Sequence, residues 1–236
     1  MKSLSIIIPV FNEEATIQRV LDRVRDVTLP EGISKEVVVV NDCSVDQTEQ
    51  AVMNYKEKNP TLPIHYVRHA SNQGKGGAIH TGISETSGDL IIIQDADLEY
   101  DPREYSLLMQ PILEGYADVV YGSRFVGGRP HRILFFWHTI GNRFLTFLSN
   151  LFNNLNLSDM ETGYKLFRAE ILKAIKLKEK RFGFEPEVTA RIAKIPAIRI
   201  YEVGISYYGR TYLEGKKIKW KDGVRALYCI FRYGLF

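Results

Sequence analysis

The chain is poor in cysteine, methionine and tryptophan, with 2, 4 and 2 of them among 236 residues. Cys43 and Cys229 stand far apart and form no metal-ligand spacing. That excludes a disulfide-stapled fold and points to a reducing, cytoplasmic compartment. An excess of one charge is also missing: Lys and Arg number 31 against 28 Asp and Glu, a net of +3. Such a balance gives no reason to expect a nucleic-acid partner. No apolar run reaches the roughly 18 residues that a membrane-crossing helix needs. The nearest, 133–152, is interrupted by His138, Asn142, Arg143 and Asn150. The first apolar run, 4–9, is short and soon meets Asn12, Glu13 and Glu14, so it does not read as a signal peptide. Two common phosphate loops are absent as well. There is no Walker pattern, and the dinucleotide pattern fails where its third glycine would be Ile79.

What is present is an ordinary globular composition, 45% apolar and 25% charged, long enough to bury one sizeable core. The first half alternates. Continuous apolar, β-branched runs predict buried strands over 4–9, 37–40, 64–68, 90–93 and 118–121. Between them the apolar spacing predicts helices over 13–25, 46–58, 76–86 and 102–114. Strands without polar alternation, separated by amphipathic helices, predict an α/β fold whose mostly parallel sheet is covered on both faces. The second half is less regular. Helices are expected over 133–153, 169–175, 185–194 and 217–233, with strands over 162–168 and 197–203.

In such sheets ligands bind beyond the carboxyl ends of the strands. Polar and glycine-rich strings gather after each strand: Asn12-Glu13, Asn41-Asp42, Asn72 to Gly77, Asp95-Ala96-Asp97 and Gly122-Ser123-Arg124. Asp95 and Asp97 can converge on one hard cation, Mg²⁺ or Mn²⁺, which favours a few carboxylates plus substrate phosphates. They could equally be a solvated turn before the helix opened by Pro102. Glycines around Lys75 would let backbone approach a phosphate at a helix N-terminus, or simply form a glycine-rich turn. Asp42 is placed to accept hydrogen bonds from a nucleobase, with Pro9, Phe11 and Glu13 beside it. Glu13 also suits the first turn of a helix, and Asp46 suits a helix cap.

Taken together, several strings resemble glycosyltransferase family 2, in its dolichol-phosphate-mannose-synthase-like branch. They are Ile8-Pro9-Val10-Phe11-Asn12-Glu13-Glu14, Val40-Asn41-Asp42-Cys43-Ser44, Asn72-Gln73-Gly74-Lys75-Gly76 and Gln94-Asp95-Ala96-Asp97-Leu98-Glu99. Gly122-Ser123-Arg124 and Asp159 to Lys165 complete the set, in the family's order, over about residues 4–205. The resemblance implies a GT-A fold, inversion at the anomeric carbon, and a nucleoside-diphosphate sugar (GDP-mannose or UDP-glucose type) held through a divalent metal. By position, Pro9, Phe11, Glu13, Asp42, Lys75 and Gln94 would hold the donor. Asp95 and Asp97 would hold metal and donor, and Glu99 would add a metal ligand. Arg124 would meet the donor diphosphate or an acceptor phosphate. Asn41 stands where the family more often has aspartate. The branch's C-terminal membrane helices have no counterpart in this sequence, so the resemblance implies no anchorage.

Two acceptors follow. A polyprenyl phosphate arrives ionised and needs no general base; a saccharide hydroxyl does, and Asp159 is then the candidate, or else a turn aspartate. The expected division is a transferase domain over 1–205 and a basic, aromatic extension over 206–236. In and near the extension, Arg132, Arg210, Lys216 and Lys217 could grip the acceptor phosphate. The last helix could lie on the cytoplasmic membrane face with Trp220, Leu227, Tyr228, Phe231 and Phe236 inward, or simply cap the fold. A sugar nucleotidyltransferase is the competing enzyme class, but its glycine-rich, Arg-containing loop after the first strand is missing. A non-catalytic nucleotide-binding scaffold is the other alternative, against which Asp42, Asp95, Asp97 and Arg124 together argue.

Overall fold

The structure, a computed structural model, describes residues 1–133, 135–211 and 220–235. Seven strands form one sheet in the order β3-β2-β1-β4-β6-β5-β7. They are β1 (Ser3–Val10), β2 (Ser34–Asn41), β3 (Ile64–Arg68), β4 (Leu90–Ile93), β5 (Val119–Ser123), β6 (Lys165–Arg168) and β7 (Ile200–Gly204). Among the described residues eight helices accompany them: α1 (Ile17–Asp26), α2 (Thr48–Lys58), α3 (Lys75–Glu85), α4 (Tyr105–Leu113), α5 (Phe136–Asn153), α6 (Ala169–Ala174), α7 (Phe184–Ala193) and α8 (Trp220–Leu235). A 3-10 turn, Pro102–Glu104, leads into α4.

The continuous apolar strands are explained by burial on both faces. Val37 and Val39 pack with Ile6, Ile8, Leu21 and Leu108 on one side. Val38 and Val40 pack with Ala78 on the other. Ile7 and Ile93 join Ile79, Phe167 and Val188 on that second side. Every pairing is parallel except those of β6, which runs against both β4 and β5. This inversion matters for function. The carboxyl ends of β1, β2, β4, β5 and β7 share one edge, and the start of β6 arrives at the same edge.

Several boundaries differ from the sequence expectation, each for a local reason. The first helix starts at Ile17, not residue 13, because Asn12 takes φ 54° and the amides of Thr16 and Ile17 turn back to the Glu13 carbonyl. The strand expected from 162 starts at Lys165, since Gly163 N–H donates to Tyr100 Oη and Tyr164 N–H to Thr162 Oγ1. The strand expected from 197 starts at Ile200, after Ala197 at φ 57°. At the other end, α8 buries Ala226, Cys229 and Ile230 and sets the Phe231 ring at a tilt against Phe152 of α5, ring centroids 5.0 Å apart.

Glu104 ties the exit of β7 to the start of α4. Its buried carboxylate accepts the Ser206 amide at 2.9 Å and the Ser206 hydroxyl at 2.8 Å. Glu104→Ala would leave that amide orphaned in the interior. A loss of about 2 kcal/mol is expected, a drop in Tm of roughly 4–8 °C for a chain of this size, read by thermal unfolding.

Candidate active site

At the shared strand edge lies a cleft of ≈ 520 Å³. Among the sequence-predicted residues it is lined by Pro9, Phe11, Glu13, Asp42, Lys75, Asp95, Asp97, Glu99, Arg124 and Arg210. Gln94, Arg132 and Asp159 do not line it. Lys216, Lys217, Phe236 and the side chain of Trp220 lie outside the described residues.

Asp95 and Asp97 follow β4 directly, where the strand can no longer pair. Asp95 is held by Lys75 Nζ at 2.9 Å, and Lys75 also stands 3.5 Å from Glu185 Oε1. Burial opposes the lysine charge, but Asp95 and Glu185 outweigh it and hold its pKa well above the ordinary value. Gly163 makes room for this arrangement: a Cβ there would meet Asp95 Oδ2 at 2.5 Å. Asp97 accepts Arg210 Nη2 at 2.8 Å. Even so, burial and the nearby Asp95 and Glu99 charges push its carboxyl up to about 7. Crowded carboxylates that one arginine does not fully relieve suit a divalent cation. Among the described residues no three His, Cys, Asp or Glu side chains converge as a complete metal site. Asp95 and Asp97 would supply two ligands, and a diphosphate the others.

Glu99 does not fit the third-ligand expectation. Its Oε1 accepts the Arg210 amide at 2.7 Å and its Oε2 the Tyr207 hydroxyl at 2.8 Å. It fastens the segment after β7 to the cleft. Gln94 is corrected more fully: it is buried, its Oε1 accepting both Tyr105 Oη and Tyr164 Oη at 2.9 Å. Its amide reaches back to the Asp95 carbonyl at 3.0 Å, so it steadies the aspartates from behind.

Asp42 lines the cleft, yet most of its carboxylate is spent on the next loop. It accepts the amides of Gln73 at 2.8 Å and Gly74 at 2.7 Å, and it meets His69 Nδ1 at 2.7 Å. This draws Asn72 to Lys75 over the β2 edge. Gly74, at φ 85°, is required there, because a Cβ would lie 2.5 Å from the Lys180 carbonyl. Asn41 is spent internally as well, on Tyr66 and Ser44.

Arg124 and Asp159 form a two-pronged pair, Nε to Oδ2 and Nη2 to Oδ1, both 2.7 Å. Asp159 also accepts the Arg124 amide at 3.0 Å and Asn142 Nδ2 at 3.1 Å. Fully buried and fully engaged, Asp159 is not poised as a general base; it holds Arg124 toward the cleft. Arg132 sits on the surface, bonded to the carbonyls of Tyr207 and Gly209 through its amide and guanidinium. Sequence reasoning missed Tyr100, Arg181, Phe182 and Glu185, all of which line the cleft. Glu185 looked like an ordinary first-turn helix acid, and Arg181 and Phe182 carried no signal at all.

Burial alone would keep Asp159 neutral, but Arg124 holds its carboxyl below the usual range. A depressed folded-state value means that the pair stabilises the fold above the ordinary carboxylate pKa. That contribution fades as pH falls through the lower folded value. Asp159→Asn should therefore cost about 3 kcal/mol or more near neutrality. The Tm gap to wild type should narrow below about pH 4 in thermal unfolding across pH.

Comparison with known proteins agrees with this architecture. Residues 5–176 match the model for glycosyl transferase family 2. The chain is 26% identical over 222 residues to the dolichol-phosphate mannosyltransferase of Pyrococcus furiosus, covering 91% of this chain but 60% of that protein. It is 31% identical over 220 residues to the undecaprenyl-phosphate mannosyltransferase of Micrococcus luteus, covering 89% and 85%. Its fold is similar to that of glucosyl-3-phosphoglycerate synthase from Mycobacterium tuberculosis, solved with Mn²⁺, UDP and phosphoglyceric acid. There the TM-score is 0.74 at 19% identity, over 99% of this chain and 78% of that one. The α/β sheet is thus of the GT-A type, and the chain belongs to glycosyl transferase family 2.

Proposed function

We propose that this chain moves a sugar from a nucleoside-diphosphate sugar to a polyprenyl phosphate, with inversion and with Mg²⁺ or Mn²⁺ on Asp95 and Asp97. The observation that carries the acceptor is the Arg124–Asp159 pair. The aspartate that a hydroxyl acceptor would need as base is committed to the arginine at 2.7 Å. A phosphate acceptor needs no base, only cations, and Arg124 and Arg210 line the cleft. The named activities of the Pyrococcus and Micrococcus relatives support the same acceptor. In the cleft, Pro9, Phe11, Glu13 and Asp42 would hold the nucleoside. Lys75 would stand between that end and the diphosphate. A bound divalent cation would neutralise the leaving diphosphate as the glycosidic bond breaks. Arg210 would leave Asp97 when the cation takes its place and would then be free to meet phosphate.

The test is incubation with a panel of nucleotide sugars and short-chain polyprenyl phosphate, watching release of nucleoside diphosphate rather than pyrophosphate. Activity should vanish in chelator and return with Mg²⁺ or Mn²⁺. Asp97→Asn should lose about a hundredfold or more in rate. Asp97 must also be ionised to hold the cation, and its carboxyl titrates near 7. Metal affinity, read by calorimetry, should therefore weaken as pH drops below that value. Full turnover in excess chelator would overturn the reading.

A lipid acceptor requires a membrane-facing surface, and α5 offers one. No helix among the described residues is long and apolar enough to cross a membrane. On α5, Phe136, Ile140, Phe144, Phe147 and Leu151 recur at helical spacing and stand exposed, with Trp137 78% exposed beside them. From Val119 to Ser158 the sequence holds Arg124, Arg129, Arg132 and Arg143 but no acidic residue. An aromatic stripe among arginines alone suits an anionic lipid surface. On α8, Val224, Tyr228, Phe231 and Leu235 are exposed as well, Phe231 while touching the Phe152 ring, and Leu227 is half-buried. Flotation with anionic vesicles should therefore be weakened by salt, and reduced about tenfold by Phe136→Ser with Phe147→Ser. Vesicle binding untouched by that pair would move the contact elsewhere.

A further inference from the structure

One part of the cleft wall is used by neither the nucleoside, the diphosphate nor the acceptor phosphate. Glu161, just before β6, and Glu185, in the first turn of α7, both line it. Glu185 is only 5% exposed, and its Oε2 has no hydrogen-bond partner. Glu161 Oε1 is likewise buried and unpartnered. Burial and the Glu185 charge raise the Glu161 pKa.

Among the described residues these two are the carboxylate oxygens left buried without a hydrogen-bond partner. Asp42, Glu104, Asp159 and Glu187 are as deeply placed, and each carries backbone amides on its carboxylate. A buried acceptor left without a donor costs free energy, which is recovered when a ligand supplies one. The neighbouring cations do not fill the need. Lys75 stands 3.5 Å from the other oxygen of Glu185, and the Lys165 ammonium is turned onto the Thr162 carbonyl.

Lys75 also fixes what lies beside the pair. It spans Asp95 and Glu185, so Glu185 would adjoin a diphosphate held at Asp95. The group bonded to the distal phosphate of a sugar nucleotide is the sugar, and a sugar presents hydroxyl donors. We propose that Glu161 and Glu185 form the subsite of the transferred sugar, each accepting a hydrogen bond from one of its hydroxyls, and that this sugar is neutral. A uronate would set a further carboxylate against the Glu185 charge, which already disfavours the ionised form of Glu161. The inference rests on the glycosyltransferase reading above and adds the chemical class of sugar to it.

The experiment is calorimetry in the presence of Mn²⁺, so that it does not depend on turnover. Ligands are UDP, GDP, their neutral hexose conjugates, the matching deoxy-sugar conjugates and UDP-glucuronate. Proteins are wild type, Glu185→Ala, the isosteric Glu185→Gln, and Glu161→Gln. Wild type should bind its preferred hexose conjugate at least about tenfold more tightly than the bare nucleotide, and the uronate more weakly than the hexose. Glu185→Ala should lose most of that increment and Glu185→Gln part of it, with bare-nucleotide affinity unchanged within about twofold. The deoxy conjugate lacking the partner hydroxyl should bind wild type weakly and lose little more in the variant. Equal losses for bare nucleotide and conjugate would overturn the subsite and make the glutamates structural. Unchanged conjugate binding with collapse of transfer to a hydroxyl acceptor would also overturn it, and make Glu185 a base. Failure of wild type to bind any nucleotide would instead sink the glycosyltransferase reading itself.

Discussion

Asp95, Asp97 and Glu99 follow a strand with no exposed residue, so their carboxylates repel one another where water screens them poorly. Much of the surrounding structure answers that repulsion. Lys75 takes Asp95, Arg210 takes Asp97, and Glu99 is quieted by the Arg210 amide and the Tyr207 hydroxyl. The partners come from two stretches remote from β4: the start of α3 and the segment after β7. Local charge crowding thus pulls distant segments to one strand edge, and the same crowding makes the edge receptive to a divalent cation and its phosphates.

The antiparallel β6 is the second part of that construction. Were it parallel to β4, its leading residues would emerge at the opposite edge. Running backward, it delivers Glu161 and Gly163 to the cleft and places Asp159 behind Arg124. The bare Gly163 then admits Asp95 and the stacked ring of Tyr100, which lies 4.8 Å from that of Tyr164.

The strands and the Asp-x-Asp cleft were legible because each depends on short-range pattern: apolar runs, glycines, acids after a strand. The roles of Gln94, Asp159 and Glu99 were not, because they depend on partners far along the chain. Gln94 is separated from Tyr164 by 70 residues, Asp159 from Arg124 by 35, and Glu99 from Tyr207 by 108. A carboxylate that organises backbone and one that meets a ligand look alike in sequence. Asp42 does the first for Gln73 and Gly74 while still lining the cleft. Glu185 was invisible for the opposite reason: helix N-termini favour acids, so its position asked for no further explanation.

Helix α5 joins the two surfaces that a lipid-phosphate acceptor would need. Its inner side reaches the Arg124–Asp159 pair: Asn142 donates to Asp159, and Thr146 Oγ1 accepts the Met160 amide beside it. Arg143 and Arg124 both lie over the ring of Phe125, at 5.7 and 5.8 Å. The outer side is the exposed stripe of Phe136, Phe144, Phe147 and Leu151. A lipid phosphate has the same division, an anionic head that needs buried cations and a tail that needs an apolar surface. One helix that braces Arg124 on one side and presents aromatics on the other can register both ends of such an acceptor without a membrane span. Among the described residues nothing covers that stripe, and under the proposed reading a cover there would separate the cations of the cleft from the surface where the acceptor tail would rest.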